Sequence, residues 1–254
     1  MRLFCLVTLA LCLGAMNDAR ASQRLTIAAA ADLRFALNDI LDIYRSQHPH
    51  AAIEVIYGSS GKMTTQIMNG APYDVFFSAD ISFPERLHRE GFAITEPRVY
   101  AIGRIVIWSK RHDASNMTLP GLVQPAIRRV AIAQPAHAPY GRRAKEALVA
   151  TGLWEDIQPK LVFGENIAHA AQMVESEAAD AGIIALSLAL FPALASHGHY
   201  LIDDGLHHPL TQGYVITRRG RDNALAHDFT SFMMEEEARA VMQQYGFVLP
   251  VEDD

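Results

Sequence analysis

An α/β fold of two lobes, each a mainly parallel sheet flanked by helices, is the architecture this sequence predicts. Three observations carry that expectation. Short apolar runs of strand length alternate with segments whose apolar residues recur at helical spacing. The alternation falls into two successive series, which implies parallel sheets covered on both faces. No tract rich in Pro, Gly and Ser lies between the series, so the lobes are tightly joined or interleaved.

The first series opens on RLTIAAAA (Arg24–Ala31), a buried strand, followed by Leu33, Leu37, Ile40, Leu41 and Tyr44 in helical phase. AAIEVIYG (Ala51–Gly58) is a second strand, and Lys62–Asn69 a short helix with Met63 and Ile67 inward. DVFFSA (Asp74–Ala79) reads as a buried strand and Pro84–Glu90 as a helix. RIVIWSK (Arg104–Lys110) is a strand that leaves this set. The second series starts at RVAIAQP (Arg129–Pro135), with a helix over Arg142–Ala150, a strand at KLVFG and a helix over Ile167–Glu177. AGIIALS and HYLID are further strands. GYVITRR (Gly213–Arg219) is a strand able to return to the first lobe, and the chain ends in helices over Ala224–Glu235 and Ala238–Tyr245. The expected division is a leader over 1–21, a first lobe over 22–103, a second over 104–215, and a return to the first over 216–254.

The leader has Arg2 ahead of an apolar stretch from Leu3 to Met16, then Ala19-Arg20-Ala21 as a small-x-small cleavage signal before Ser22. That is the pattern of a secretory signal peptide. The stretch is short of the ~20 apolar residues that span a bilayer. A lipid linkage at Cys12 is disfavoured by bulky Leu11. Of 254 residues, cleavage leaves 233, enough for two lobes. Both cysteines, Cys5 and Cys12, go with the leader, and an exported chain without thiols suits the bacterial periplasm. Removing Arg2, Arg20 and Asp18 from 22 basic and 28 acidic residues leaves 20 and 27, a net charge of −7 with histidine neutral. That balance argues against nucleic acid as a partner. It permits a small anion, which local dipoles bind irrespective of net charge.

Candidate chemistry lies where strands pass into helices, since open α/β sheets bind ligands there. AAAADL brings small side chains and Asp32, a candidate N-cap. Gly58-Ser59-Ser60-Gly61 follows the second strand, with Ser60 as the candidate N-cap. In the second series Pro139-Tyr140-Gly141 and Asn166-Ile167 open helices. Each such start leaves backbone N–H groups free and carries roughly half a positive charge. Four converging on one cleft would form an oxyanion site without Arg or Lys. Taken singly, each junction is more readily read as a turn with its cap than as a ligand site.

The segments AAAADLRFALNDI, GSSGKMTTQIMNGAPYDVFFSAD, PAHAPYGRRAKEAL, LVFGENIAHAAQMVESEAADAGII and QQYGFVLP together resemble the periplasmic molybdate-binding proteins of ABC transporters, in order and over nearly the whole mature chain. The resemblance implies a periplasmic binding protein fold, with two lobes closing on molybdate or tungstate and delivering it to a membrane ABC permease. It implies a monomer and a carrier, with neither enzyme activity nor a cofactor. It places the ligand contacts at Ala31, Asp32, Ser60, Tyr140 and Ile167. Two departures stand out. Asp32 occupies a turn where many members have Ser or Thr, and Ala185 stands where some supply a tyrosine hydroxyl. A carboxylate ~4 Å from an anion costs about 4 kcal/mol per unit charge pair at an effective dielectric of ~20. The Asp32 side chain is therefore expected to turn back and cap its own helix, with the Tyr140 hydroxyl as a substitute donor. The alternatives keep the fold and change the ligand to another small anion, or to a metal ion held by Asp32 and Tyr140 oxygens.

Elsewhere, His197, His199, His207 and His208 cluster in sequence as a metal-binding candidate. A solvated loop is the preferred account, over a metal buffer or an enzyme centred there. Arg218–Arg221 (RRGR) is expected to be a solvated helix start.

Overall fold

The computed structural model of the protein describes residues 24–250. The expected leader, its cleavage point and both cysteines lie outside the described residues. The chain runs β1 (Arg24–Ala30), α1 (Arg34–Gln47), β2 (Ala52–Gly58), α2 (Ser60–Met68), β3 (Val75–Ser78), α3 (Ser82–Arg89), β4 (Arg98–Gly103) and β5 (Ile105–Trp108). It continues with β6 (Val130–Ala133), α4 (Pro139–Ala150), α5 (Trp154–Ile157), β7 (Leu161–Gly164), α6 (Ile167–Glu175), β8 (Ala181–Ala185), α7 (Leu186–Ala189), α8 (Pro192–Ala195) and β9 (Tyr200–Leu201). It closes with β10 (Leu210–Ile216), α9 (Ala224–Phe232) and α10 (Glu236–Gln244).

Two five-stranded sheets result, one per lobe, in the orders β2-β1-β3-β10-β4 and β7-β6-β8-β5-β9. Each has three parallel strands, then one antiparallel strand, then an outer strand antiparallel to that one. The parallel strands at the centre read as unbroken apolar runs because helices cover both faces. β1 is buried from Leu25 to Ala30, and β6 and β8 throughout.

The chain crosses between lobes twice. The first crossing is abrupt, with only Arg104 between β4 and β5. The second lies between β9 and β10. All of β10 belongs to the first sheet, with Leu210 opposite Gly103 and Gln212 opposite Ala101. The return to the first lobe therefore precedes Leu210, earlier than the expected boundary at 216. The expectation began this strand at Gly213 because Thr211 and Gln212 interrupt its apolar run. β4 was not among the expected strands, although RVYAIG pairs along β10. Leu186 and Ser187, expected to continue a strand, instead open the single helical turn Leu186–Ala189. Arg218–Arg221 is a turn and not a helix start: α9 begins at Ala224, capped by the Asn223 side chain on the Leu225 amide. Arg218 lies over the Phe92 ring, and Arg219 pairs with buried Asp74.

The first lobe packs α1, α9 and α10 on one face of its sheet and α2 with α3 on the other, in two apolar clusters. The second-lobe core, built on β5, β6, β8, α4 and α6, extends across the interface to include Ala30, Ala31 and Ala79 from the first lobe. The lobes are thus closed on each other at the carboxyl ends of β1, β2, β3 and β6.

Candidate functional site

At that junction a small pocket is lined by Ala30–Asp32, Gly58–Ser60, Ala79, Ala138–Tyr140 and Ile167. All five predicted contact residues, Ala31, Asp32, Ser60, Tyr140 and Ile167, are among them. No Arg or Lys is. A larger hollow beside Met234 and Gln243 is open at the surface and is lined by the single helix α10 and the tail that follows it.

Local sequence explains how the first lobe arrives there. β1 ends in small residues, and Ala31–Leu33 make one tight turn before α1. After β2, Ser59 takes the extended conformation of an N-cap and Ser60 is the first helical residue, so the cap falls one position earlier than expected. Ser60 is fully buried, and its Oγ accepts from the Ala79 amide at 3.0 Å. With that lone pair engaged, the hydroxyl proton is available to a ligand. Ser59 Oγ reaches His137 Nδ1 of the other lobe at 2.9 Å. The Gly61 amide donates to the His137 carbonyl at 3.0 Å. A Cβ on Gly61 would fall 2.7 Å from that carbonyl oxygen, so glycine is required by the approach of two backbones.

From the second lobe, α4 starts with Pro139, whose missing N–H is no loss at a helix start, and presents Tyr140 next. α6 starts at Ile167, with Asn166 capping the His169 amide at 2.9 Å. The amides of Ser60, Tyr140 and Ile167 all lie in first turns, where the helix offers them no acceptor.

Asp32 departs from expectation. Its carboxylate does not cap α1, whose N-cap is Leu33 without a side-chain bond. It is 1 % exposed, and Oδ2 accepts from Tyr140 Oη of the other lobe at 3.0 Å and from Gln212 Nε2 at 2.7 Å. Oδ1 is buried and makes no hydrogen bond. Burial outweighs the hydrogen bonds from Gln212 and Tyr140 and the weaker pull of the Asp32 and Leu33 amides, and pushes the Asp32 carboxyl up to about 6. The Tyr140 hydroxyl, expected as a ligand donor, here donates to Asp32. Burial, and then the Asp32 charge, hold Tyr140 and Tyr100 well above the usual phenol range. Gln212 Nε2 also donates to Tyr140 Oη at 3.0 Å, and its Oε1 accepts from Tyr100 Oη at 2.6 Å. Ser187 Oγ of α7 donates to the Asp32 carbonyl at 2.8 Å. A Cβ on Gly103 would meet Tyr140 Oη at 2.3 Å, so this network also depends on a glycine.

Sequence reasoning missed Gln212, Tyr100 and Ser187. An amide inside the apolar run of a strand was the available signal for Gln212. Around the rim, Arg143 of α4 pairs with Asp80 after β3 at 3.2 Å, both nearly buried, and Lys62 meets Glu165 at 3.0 Å. The histidine stretch lies elsewhere. His208 bonds Glu146, and among the described residues no three His, Cys, Asp or Glu side chains gather as a metal would require.

The profile of the bacterial extracellular solute-binding proteins matches residues 25–248. The molybdate-binding protein of Azotobacter vinelandii is 33% identical, covering 97% of this chain and 99% of its own. That of Rhodobacter capsulatus is 32% identical over 94% of each. The solved periplasmic molybdate-binding protein of Azotobacter vinelandii superimposes with a TM-score of 0.84 at 33% identity, covering 89% of this chain and all of that one. The sulfate-binding protein SubI of Mycobacterium tuberculosis shares the fold alone, with a TM-score of 0.72 at 12% identity over 89% of this chain and 86% of its own.

Proposed function

The chain belongs to the bacterial extracellular solute-binding proteins, and from that premise we propose that it captures molybdate or tungstate between its lobes and delivers it to an ABC permease. One observation supports this above others. The first turns of α2, α4 and α6, the turn after β1 and the Ser60 hydroxyl converge on a small closed pocket without a cationic side chain. Such a pocket binds an anion through directed N–H and O–H donors and helix dipoles. Each charge-assisted hydrogen bond contributes roughly 1.5–3 kcal/mol. Several together offset the dehydration of a dianion.

Ala31, Asp32, Ser60, Tyr140 and Ile167 are the proposed contacts. Ser60 acts through hydroxyl and amide, Tyr140 and Ile167 through their amides, and Ala31 through the close approach that its small side chain permits. The contacts come from both lobes, so the anion favours the closed arrangement, and a permease reads occupancy as shape. Sulfate is smaller, and a rigid pocket fitted to molybdate leaves some of its oxygens short of a donor. A metal ion is the poorer fit, since Asp32 is the one acidic side chain among the described residues lining the pocket.

The solved relative of Azotobacter vinelandii is named as periplasmic and that of Bacillus subtilis as a putative lipoprotein, and both names fit an extracytoplasmic place. We place this chain in the periplasm as a soluble monomer beginning at Ser22. Protein from the periplasmic fraction, checked by intact mass for that start, is titrated calorimetrically with molybdate, tungstate and sulfate. Tight binding of the first two with weak binding of sulfate is expected. Sulfate binding as tight as molybdate, or no heat from either larger anion, overturns the assignment.

A further inference from the structure

We propose that Asp32 takes up a proton when the pocket fills, and that its neutral carboxyl group donates from Oδ1 to an oxygen of the bound oxyanion. The site then takes a dianion together with a proton. This rests on the oxyanion reading above and assigns the acidic residue a role in it.

The hydrogen-bond network fixes where the proton goes. Tyr100 donates to Gln212 Oε1, which orients the amide so that Nε2 points at Tyr140 Oη and Asp32 Oδ2. Because Tyr140 Oη accepts from Gln212, its own proton goes to Asp32 Oδ2. Oδ2 thus meets two donors and cannot carry a proton itself. Oδ1 is buried and without a partner, on a residue that lines the pocket. The other polar groups converging there are donors, as an anion requires. An ionised Oδ1 beside that anion would face it with no cationic side chain between them. A protonated Oδ1 is one more donor.

The surroundings do not supply a competing charge. Tyr140 of α4 and Tyr100 of β4 are the titratable groups in contact with this network. Gln212 of β10, Ser187 of α7, Ser60 of α2 and Ile167 of α6 do not titrate. At the rim, His137 bonds Ser59 and not Asp32. Burial already raises the Asp32 carboxyl, and a bound dianion raises it further. In water the open cleft returns Asp32 toward the ordinary carboxylate range, so near neutral pH the proton comes from solvent as the lobes close. Binding therefore weakens as pH rises, close to tenfold per unit for one linked proton.

The test is calorimetric titration of the full mature protein with sodium molybdate, between about pH 6.5 and 9, in buffers of different ionisation heat. About one proton taken up per anion, with affinity falling close to tenfold per pH unit, is the expected result. Asp32→Asn puts an amide N–H where Oδ1–H would stand. That variant should take up no proton, hold a flat affinity across the range and bind more tightly than wild type at its alkaline end. Wild-type binding that is independent of pH and takes up no proton overturns the proposal and leaves the oxyanion reading standing. So does a folded Asp32→Asn protein that keeps the wild-type slope. Should that variant not fold, the wild-type proton count decides. No molybdate heat at any pH removes both readings.

Discussion

Ser60 holds two roles that pull on one substitution. Its hydroxyl oxygen satisfies the buried Ala79 amide, and its proton is left for the ligand. Ser60→Ala should therefore weaken molybdate binding about 10- to 150-fold, the loss of one charge-assisted bond. It should also lower stability by roughly 1–3 kcal/mol, because the Ala79 amide loses its acceptor. Calorimetry and denaturant unfolding of the same preparation check both halves; unchanged affinity would remove Ser60 from the pocket. The hydroxyl's place at a helix start was legible, since two serines between two glycines after an apolar run announce one. What Asp32 does was not. A carboxylate before a helix reads as a cap, and its true partners, Tyr140 and Gln212, lie 108 and 180 positions away. No local pattern encodes a contact made only when two lobes meet.

The turns that enter α2 and α4 are the elements on which closure depends. They meet backbone to backbone at Gly61 and His137, with Ser59 and the His137 ring beside them. Gly61→Ala would drive a methyl group to 2.7 Å from a carbonyl that belongs to the other lobe. Overpacking of this kind costs ~1–3 kcal/mol. Here it falls on the closed form alone, so molybdate affinity should drop roughly 5- to 150-fold. Unfolding of the ligand-free protein in its open form should stay near wild type, and an unaltered affinity would show that these turns do not meet in the bound state. Helices such as α1 and α6 were legible from periodicity, because burial of one face is a local demand of 3.6 residues per turn. β4 was not, since Arg98 and the half-exposed Val99 break its apolar run. The span of β10 was obscured by Gln212, a polar residue kept in a buried strand by three hydrogen bonds to other side chains.

At the scale of the molecule, two lobes with like sheet orders are joined by two crossings, one of them the single residue Arg104. Any relative motion has to turn about these crossings, and in the arrangement described the lobes are held together by Arg143–Asp80, Lys62–Glu165 and Tyr140–Asp32. Small-angle scattering should record a smaller radius of gyration on adding molybdate; an unchanged radius would mean that the lobes do not open appreciably without ligand. The same crossings set an order of assembly. The second sheet draws only on residues 105–201, a continuous stretch, whereas the first cannot seat β4 or complete β3 until β10 arrives from beyond residue 209. A chain delivered from its N-terminus can therefore finish the later lobe first. Until then the apolar β3 has an unpaired edge, a template for wrong pairing. Truncation anywhere before Leu210 would leave that edge permanently open, so shortened chains should aggregate even though every residue of the second lobe is present.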